Sequence, residues 1–348
     1  MKDLPALAAT GVGSVPFLDI SETLDWIAQN CPNLPYWPQM VYSHPRADMI
    51  LQFAARLPFL NLNLEQRKLT VKTNNRADGL TEFYEHFLAG DLDYFALPVD
   101  SAASFYAFLD RAKTNPDFGP QYLKGQVTGP ITLGQAIRTS EGKPIINDQE
   151  LADPIIKGAG AMAAWQAKQI TAVGRSPLIF FDEPSLTSFG SAFSTLNREE
   201  VINILNETIE AAHLGEPVLI GIHICGNTDW EMILSTNLDL VNLDAFGYMD
   251  AFLLYSKDII RFVQAGGYLA WGIGPTLAYT EDITATKLAD RLKNAFHALV
   301  RQGIDLELLT RRSLITPTCG LGPVSEPLAL KISKLVAQTS EIMQSDLL

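Results

Sequence analysis

Short apolar runs alternate with longer amphipathic segments along most of the chain. In residues 198–213, Val201, Leu205 and Ile209 recur at helical spacing, and Gly215 follows as a stop signal. Helices are predicted over residues 21–30, 154–173, 198–213 and 284–301, and strands over 7–12, 38–42, 94–99, 122–128, 177–182, 217–225, 240–244, 268–271 and 312–316. Because several of these strands are apolar on both faces, they indicate a parallel sheet covered by helices.

This alternation predicts an α/β protein, namely a single (β/α)8 TIM barrel over residues 1–348 with its site at the carboxyl ends of the strands. There is one candidate strand more than a barrel needs. The segment 38–42 is the weakest, because prolines flank it and proline cannot donate to a strand ladder. An open doubly wound sheet is the alternative, but Gly11-Val-Gly-Ser14 is too short for the dinucleotide-binding glycine fingerprint.

Composition narrows the class of protein. The chain has 348 residues, of which 47% are hydrophobic and 19% charged, so a substantial core is expected. Its formal net charge of −13 argues against nucleic-acid binding, which needs a basic surface. Three cysteines are too few for a disulfide framework and fit a reducing compartment. The sequence shows neither a signal-peptide core nor a membrane-spanning apolar run, so we expect a cytoplasmic protein with no membrane partner.

A histidine and a cysteine lie at the end of one candidate strand. In Val218-Leu-Ile-Gly-Ile-His-Ile-Cys-Gly226 the side chains alternate between the two faces of the strand, so His223 and Cys225 share one face and Ile222 and Ile224 the other. An imidazole and a thiol would then project side by side where barrel enzymes build their sites. The alternative is a buried cysteine beside a hydrogen-bonded core histidine.

A second cysteine follows the last candidate strand. Cys319 lies in a glycine-containing turn just after residues 313–316. Two thiolates and one imidazole form a nitrogen–sulfur set that suits Zn²⁺. The alternative is that Cys319 is an ordinary small residue of the turn.

Two acidic side chains also end apolar strands. Asp182 follows the run Leu178–Phe181, and Asp244 ends residues 240–244. An ionised carboxylate in a barrel mouth needs a charged partner or a ligand, because its desolvation is costly. For Asp182 the alternative is a helix cap before Pro184.

Five short motifs occur along the chain in the following order: Gly11-Val-Gly-Ser-Val-Pro16, Gly125-Gln-Val-Thr-Gly-Pro-Ile-Thr132, Phe181-Asp-Glu-Pro-Ser185, His223-Ile-Cys225 and Pro317-Thr-Cys-Gly-Leu-Gly322. Together they resemble the catalytic half of cobalamin-independent methionine synthase and the superfamily that this half shares with uroporphyrinogen decarboxylase and methylcobamide:thiol methyltransferases. The pairing of His-x-Cys with a late Cys-Gly-Leu is similar to the zinc-dependent thiol methyltransferases. The resemblance implies a single-barrel homocysteine S-methyltransferase that forms methionine.

For the metal, the resemblance implies that His223, Cys225 and Cys319 bind zinc. The family's fourth protein ligand is a glutamate at the end of the next strand, and Asp244 stands in that place, one methylene shorter. A free thiol is mostly protonated at neutral pH, whereas zinc coordination deprotonates it. The zinc would thus present the sulfur of homocysteine as a nucleophile.

For the substrate, the resemblance implies that the backbone of Val12, Gly13 and Ser14 cradles the carboxylate of homocysteine. Asp182 would pair with its α-amino group and thereby act in catalysis. A family glutamate that also holds this amino group has Glu82 as its candidate counterpart.

The methyl donor is where the chain departs from the family pattern. The histidine that protonates the folate leaving group would fall in Trp271-Gly-Ile-Gly-Pro-Thr276, where Gly274 stands instead. We therefore expect a methyl-corrinoid donor, methylcobalamin or a separate corrinoid protein, rather than methyltetrahydrofolate. The chain itself has no Asp-x-His-x-x-Gly motif to bind a corrinoid.

Three alternatives stay open. The acceptor could be another small thiol such as coenzyme M, although an acidic Asp182 suits an amino acid better. A metal-free decarboxylase of the uroporphyrinogen type should have an arginine-rich amino-terminal segment, whereas the first arginine is Arg46. A zinc site with a purely structural role should have four strong ligands.

Overall fold

The computed structural model describes residues 3–54, 56–65, 68–72, 76–191 and 195–348. The strands are β1 (Ser14–Val15), β2 (Gln39–Met40), β3 (Leu60–Asn63), β4 (Lys68–Val71), β5 (Tyr122–Thr128), β6 (Ser176–Asp182), β7 (Leu219–Ile224), β8 (Leu240–Asp244), β9 (Tyr268–Gly274) and β10 (Ser313–Pro317). Short 3-10 helices cover Pro45–Ala47, Leu92–Phe95, Ile145–Asn147 and Pro184–Ser188.

The α-helices are α1 (Ile20–Asn30), α2 (Met49–Ala54), α3 (Arg76–Leu88), α4 (Val99–Thr114), α5 (Pro130–Ala136), α6 (Ala152–Ala172), α7 (Arg198–Ala212), α8 (Trp230–Ile233), α9 (Ala245–Leu253), α10 (Ser256–Gln264), α11 (Ala285–Arg301), α12 (Leu306–Arg311) and α13 (Glu326–Leu347). Their starts follow local chemistry: Asn197 and Glu200 form a capping box before α7, and Thr284 caps α11. No helix in the described residues is long and apolar enough to cross a membrane.

Strands β5 to β10 form a six-stranded parallel sheet in the order β10-β9-β8-β7-β6-β5. Most crossings between consecutive strands contain a helix, as parallel neighbours require. All these strands therefore end at the same edge of the sheet, where the residues that follow them meet.

Both outer strands of this sheet carry further parallel pairing. Ala9 forms a bridge with Ile315 of β10, and Tyr36 forms one with Lys124 of β5. Strand β1 pairs in parallel with β2, which places Ser14 opposite Gln39. The amino-terminal 40 residues are thus bonded to both edges of the six-stranded sheet.

The two faces of the sheet pack into separate cores. One buried cluster contains alternate strand residues such as Ile179, Ile222 and Val241, which pack against the helices. The other cluster lies on the opposite face and consists of Leu4, Ala8, Leu34, Tyr122, Leu178, Phe180, Leu240, Tyr268, Ala270 and Leu314. We call this second side the inner face. Its strand residues alternate with those of the first cluster, as a two-residue period requires.

The structure confirms most of the predicted elements. Strands β5 and β8 have the predicted bounds, and β6, β7, β9 and β10 agree within three residues at each end. The four predicted helices agree within two residues at each end. The segment 38–42, the weakest candidate, contains β2, whereas residues 7–12 contribute only a bridge at Ala9 and the strand itself comes later, at β1. The antiparallel pair β3 and β4 was not predicted.

The strand predicted over residues 94–99 is wrong. Leu92–Phe95 is a 3-10 helix, and Pro98 is the N-cap residue of α4. Phe95 and Leu97 are buried, so the apolar run is real, but it packs beneath helices such as α6 and not within a sheet. A short apolar run does not by itself distinguish these two forms of burial.

Candidate metal centre

A cavity of about 370 Å³ opens at the carboxyl edge of the parallel sheet. We call it the mouth cavity. Six of its lining residues are predicted site residues: Val12, Ser14, Asp182, His223, Cys225 and Cys319. A cavity of about 440 Å³ elsewhere, lined by Lys72, Arg76 and Lys143, holds neither histidine nor cysteine. The side chains with metal-binding chemistry therefore meet in the mouth cavity.

His223, Cys225 and Cys319 come together although they are distant in sequence. One ligand atom of each lies within 4.8 Å of the others. His223 points to the inner face of β7, Cys225 follows the last residue of β7, and Cys319 follows β10. The alternation predicted for residues 218–226 is confirmed, because Ile222 and Ile224 pack in the opposite, helix-covered core.

The imidazole of His223 is fixed in one tautomer by its neighbours. Its Nδ1 lies 2.6 Å from Oδ1 of Asn242, and the Asn242 amide nitrogen donates to Ala270 O and Thr316 Oγ1, both at 2.8 Å. Because these two bonds orient the amide, its oxygen faces the ring and Nδ1 is the nitrogen that carries hydrogen. Nε2 is buried and makes no hydrogen bond of regular geometry within the described chain, and it can offer a lone pair to a metal once the ring is neutral. Although burial opposes the shift, Cys225 and Asp182 raise the pKa of His223.

Cys225 and Cys319 shift each other's pKa. The side chain of Cys319 and, against the opposing effect of burial, that of His223 lower the pKa of Cys225 to about 4. The interaction with Cys225, followed by burial, raises the pKa of Cys319, because a second negative charge beside the first is unfavourable. The pair therefore favours a single negative charge, and a bound cation would favour ionisation of both thiols.

These observations fit Zn²⁺. The group offers two sulfurs and one buried imidazole nitrogen, Nε2 of His223, that makes no hydrogen bond in the described chain. Three protein ligands with room for one more atom is the pattern of catalytic zinc sites, whereas structural sites have four protein ligands. The hydrogen bond from His223 to Asn242 is the kind of support that metal-binding histidines usually have.

The turn that carries Cys319 is held by the amino-terminal segment. Leu321 N donates to Ser14 O at 2.8 Å, and Gly322 N donates to Ser14 Oγ at 3.3 Å. A side-chain carbon at Gly320 would lie 2.1 Å from Ser14 Oγ, so a larger residue there would displace this hydroxyl. One residue of the predicted substrate turn therefore positions a predicted zinc ligand.

Asp182 ends β6 on the inner face, next to His223 in the strand register. Its Oδ1 is buried and has no hydrogen-bond partner in the described residues. Burial raises the pKa of Asp182 to about 6, although His223 and Lys124 oppose this. Glu183 is the N-cap residue of the following 3-10 helix, so Asp182 is not the cap that was its alternative role.

Residues Val12, Gly13 and Ser14 form a turn with all three carbonyl oxygens bonded. They accept hydrogen bonds from Lys124 Nζ at 2.6 Å, Gln39 N at 3.0 Å and Leu321 N at 2.8 Å, respectively. In a trans peptide the N–H points opposite to the C=O. The amides that follow these carbonyls are consequently directed away from their partners.

Two predicted residues lie apart from the group. Asp244 is not among the three clustered ligands, and its Oδ1 accepts a 2.6 Å hydrogen bond from Gly247 N at the start of α9. Glu82 lies on α3, accepts a hydrogen bond from Tyr94, and does not line the mouth cavity. A carboxylate that does line it, Asp48, was not predicted.

Sequence reasoning also missed Lys124, Glu183 and Asn242. Each is a polar residue in or directly after an otherwise apolar strand, a signal that the sequence does carry. Glu183 is fully buried and accepts hydrogen bonds from Ile131 N, Thr132 N and Thr132 Oγ1. It therefore joins two of the sequence motifs, at residues 125–132 and 181–185.

No protein-family model matches this chain, and neither does any curated protein sequence. A solved structure of a B12-independent methionine synthase from Shewanella sp. W3-18-1, in complex with selenomethionine, is similar with a TM-score of 0.64 and 17% identity. The match covers 99% of each chain. At this identity the likeness shows a related α/β fold, which supports the expected resemblance at the level of fold alone.

Proposed function

We propose that this protein is a zinc-dependent S-methyltransferase that converts homocysteine to methionine. The observation that carries the proposal is the group of His223, Cys225 and Cys319 in the mouth cavity, with the buried Nε2 of His223 lacking a hydrogen-bond partner in the described chain. A related fold in a methionine synthase from another organism supports the same class of reaction. The proposal has three parts: the protein is an enzyme, it binds zinc, and its acceptor is homocysteine.

His223, Cys225 and Cys319 would hold the metal. Zn²⁺ supplies Lewis acidity, which keeps a coordinated thiol deprotonated at neutral pH. Asn242 would hold the His223 ring so that Nε2 faces the ligand group. Asp244 stays a predicted fourth ligand, and with its Oδ1 held by the Gly247 amide it would bind through Oδ2.

The remaining side chains would orient the acceptor. Asp182, with an unpartnered buried oxygen, would accept the α-ammonium group, and the amides of the Val12–Ser14 turn would bind the carboxylate. The homocysteine thiol releases its proton to solvent, and a sulfur lone pair forms the bond to the methyl carbon. The bond from that carbon to the donor breaks, and its electron pair stays on the donor. Holding both reactants in line supplies several kcal/mol of the acceleration.

We further infer that residues 1–348 form one complete (β/α)8 barrel. The bridge from Ala9 to Ile315, the bridge from Tyr36 to Lys124, and the β1–β2 pair would together supply the two strands missing from the six-stranded sheet. The site would then lie at the carboxyl ends of all eight strands. We also propose that the protein is cytoplasmic.

For the methyl donor we propose a methyl-corrinoid, either methylcobalamin or a separate corrinoid protein. A side-chain carbon at Gly274 would lie 2.4 Å from Val336 Cγ2, so this position has no room for a histidine that could protonate a folate. The structural neighbour is a B12-independent enzyme and lends the corrinoid no support. The donor therefore has to be tested directly.

The decisive experiment measures zinc content and methionine formation in the same preparation. Protein purified without chelators should hold about one zinc per chain. It should form methionine from L-homocysteine with methylcobalamin, and not with methyltetrahydrofolate. Zinc without methionine from either donor would favour another thiol acceptor such as coenzyme M. Methionine from methyltetrahydrofolate would overturn the corrinoid donor, and absence of zinc would overturn the proposal.

A further inference from the structure

Lys124 is a fully buried lysine on the inner face of β5. Its side chain is 0% exposed, its Nζ donates to Val12 O at 2.6 Å, and Nζ lies 4.2 Å from the centre of the Phe180 ring. It precedes Gln126 and Thr128 on the same face, so it lies two side-chain layers beneath the carboxyl edge of the sheet. No step of the proposed methyl transfer uses this residue.

A lysine in this place is costly for stability. Among the described residues no carboxylate lies within 4.0 Å of Nζ, so a carbonyl and an aromatic ring are its close partners. Burial lowers the pKa of Lys124 to about 8, while Asp182 and Cys31 oppose the shift. A methionine or leucine of similar volume would avoid this desolvation, which suggests that stability is not what the lysine provides.

What Lys124 does provide is a fixed orientation of one peptide group. By holding the Val12 carbonyl toward the buried Nζ beneath the carboxyl edge, it turns the Gly13 N–H in the opposite direction, toward that edge. A charged donor on the carbonyl also polarises that peptide, which strengthens the N–H as a donor to an anion. Gly13 itself has no room for a side chain, since a carbon there would lie 2.9 Å from the Gln126 side chain.

We propose that Lys124 is a positioning residue that prepares the Val12–Ser14 turn for a carboxylate and thereby selects α-amino-acid thiols over thiols that lack a carboxylate. The inference rests on the proposed function, because it concerns the acceptor of that same site. It assigns the discrimination to a side chain that does not itself touch the acceptor.

The test compares two ligands that differ only in the carboxylate, L-homocysteine and 3-amino-1-propanethiol. Calorimetry on the zinc-loaded full chain gives their dissociation constants for the wild type, Lys124→Met and Lys124→Gln. Lys168→Met is the matched control, because Lys168 is an exposed lysine paired with Asp93 on the outside of the protein. Zinc content and methyl transfer are measured on the same samples.

We expect Lys124→Met to weaken homocysteine binding by roughly tenfold to a hundredfold, as a misplaced contact group does. Binding of 3-amino-1-propanethiol should change by less than about twofold, because it makes no use of the turn. The Gln variant keeps a neutral donor and should recover part of the loss, and Lys168→Met should behave as the wild type. Hydrogen exchange of the Gly13 and Ser14 amides, measured without ligand, should be faster in the Met variant.

Equal weakening of both ligands, or no weakening, would overturn the role of Lys124 while leaving the methyltransferase proposal intact. If Lys124→Met does not fold, the Gln variant decides alone by the same criterion. A wild type that binds neither thiol would instead overturn the proposed function, and with it the role that depends on it.

Discussion

Asp182 and Glu183 are neighbours in sequence at the end of β6, yet their carboxylates face opposite sides of the sheet. Glu183 is covered and accepts three hydrogen bonds from residues 131–132. Asp182 faces the mouth cavity, and its Oδ1 has no partner within the described chain. Burial raises the pKa of both groups.

The difference shows how one strand end can serve two purposes. A buried and hydrogen-bonded carboxylate such as Glu183 joins the start of α5 to the end of β6 and is not accessible to a ligand. An unpartnered one such as Asp182 retains a desolvation cost that a bound cation can offset. Substitutions on the cavity side should therefore change metal and substrate binding, and those on the covered side should change stability.

The largest effect is expected for Cys225→Ser. A hydroxyl is a poor zinc ligand compared with a thiolate, so zinc affinity should fall by roughly a thousandfold or more and turnover should be abolished. Metal analysis after dialysis and a methionine assay would check this. Cys31→Ala is the control, because Cys31 is buried away from the cluster. A Cys225→Ser protein with full zinc and activity would contradict the site.

The next effect is expected for Asp182→Asn. Loss of the charge partner for the α-ammonium group should weaken homocysteine binding by about a hundredfold, equivalent to about 3 kcal/mol. Zinc content should be unchanged, and folding stability should not fall, because the variant removes a buried charge. Binding of 4-mercaptobutyrate, which lacks the amino group, should not change. Equal loss for both ligands would assign Asp182 to the zinc site instead.

A smaller effect is expected for Asn242→Ala. Without Asn242 Oδ1 the His223 ring is free to change tautomer, and support groups of this kind typically contribute about 10- to 100-fold to metal affinity. Competition with a zinc chelator measures the loss. The Nδ2 donor to Ala270 and Thr316 disappears too, so Asn242→Asp, which keeps the oxygen, is the companion variant. Identical zinc affinity in all three proteins would refute the role of Asn242.

Substitution of Glu183 is expected to have the smallest effect on the cavity. Its main effect should be on the free energy of unfolding. Burial raises its pKa from 4.5 to about 7, so the folded state binds this proton more tightly than the unfolded chain does. The contribution of this proton to the free energy of unfolding is therefore complete below pH 4.5. It declines between pH 4.5 and about 7, by about 1.4 kcal/mol per pH unit and on the order of 3 kcal/mol in all.

The measurement is the difference in unfolding free energy between wild type and Glu183→Gln at pH values from 4 to 8. Other titrating groups are common to both proteins, so they cancel in the difference. Parallel curves for the two proteins would show that Glu183 titrates alike in the folded and unfolded chains. Zinc and homocysteine binding should be equal in the two proteins at any one pH.

Much of the fold could be predicted because β5 to β10 are largely apolar runs, several of them bounded by glycine or proline, and these runs form strands in the structure. The predictions were wrong or weak where the local sequence pattern does not determine the tertiary environment of the segment. Residues 94–99 carry the apolar residues of a strand but pack beneath helices. The sequence predicts the strands around β1 and β2 only weakly, because their pairing depends on partners far along the chain.

The candidate site divides in the same way. Alternation along β7 was enough to place His223 and Cys225 on one face, since a strand has a fixed two-residue period. Asp244 was assigned by counting along a strand, and counting cannot tell whether a carboxylate turns into the cavity or caps the next helix. Lys124 was overlooked because an isolated lysine in a strand has no motif, and its meaning depends on the carbonyl it contacts.

The sequence by itself determined the class of protein: an α/β chain with a parallel sheet, and with donor side chains directly after several of its strands. Local periodicity and residue chemistry are sufficient for this, because they act between residues that are close along the chain. Only the tertiary structure decided that Cys319 meets His223 and Cys225, that Asn242 fixes the ring, and that Lys124 holds the turn. Each of these contacts joins atoms that are within a few ångströms of each other but belong to residues up to about a hundred positions apart along the chain. A linear pattern of residues does not contain those distances.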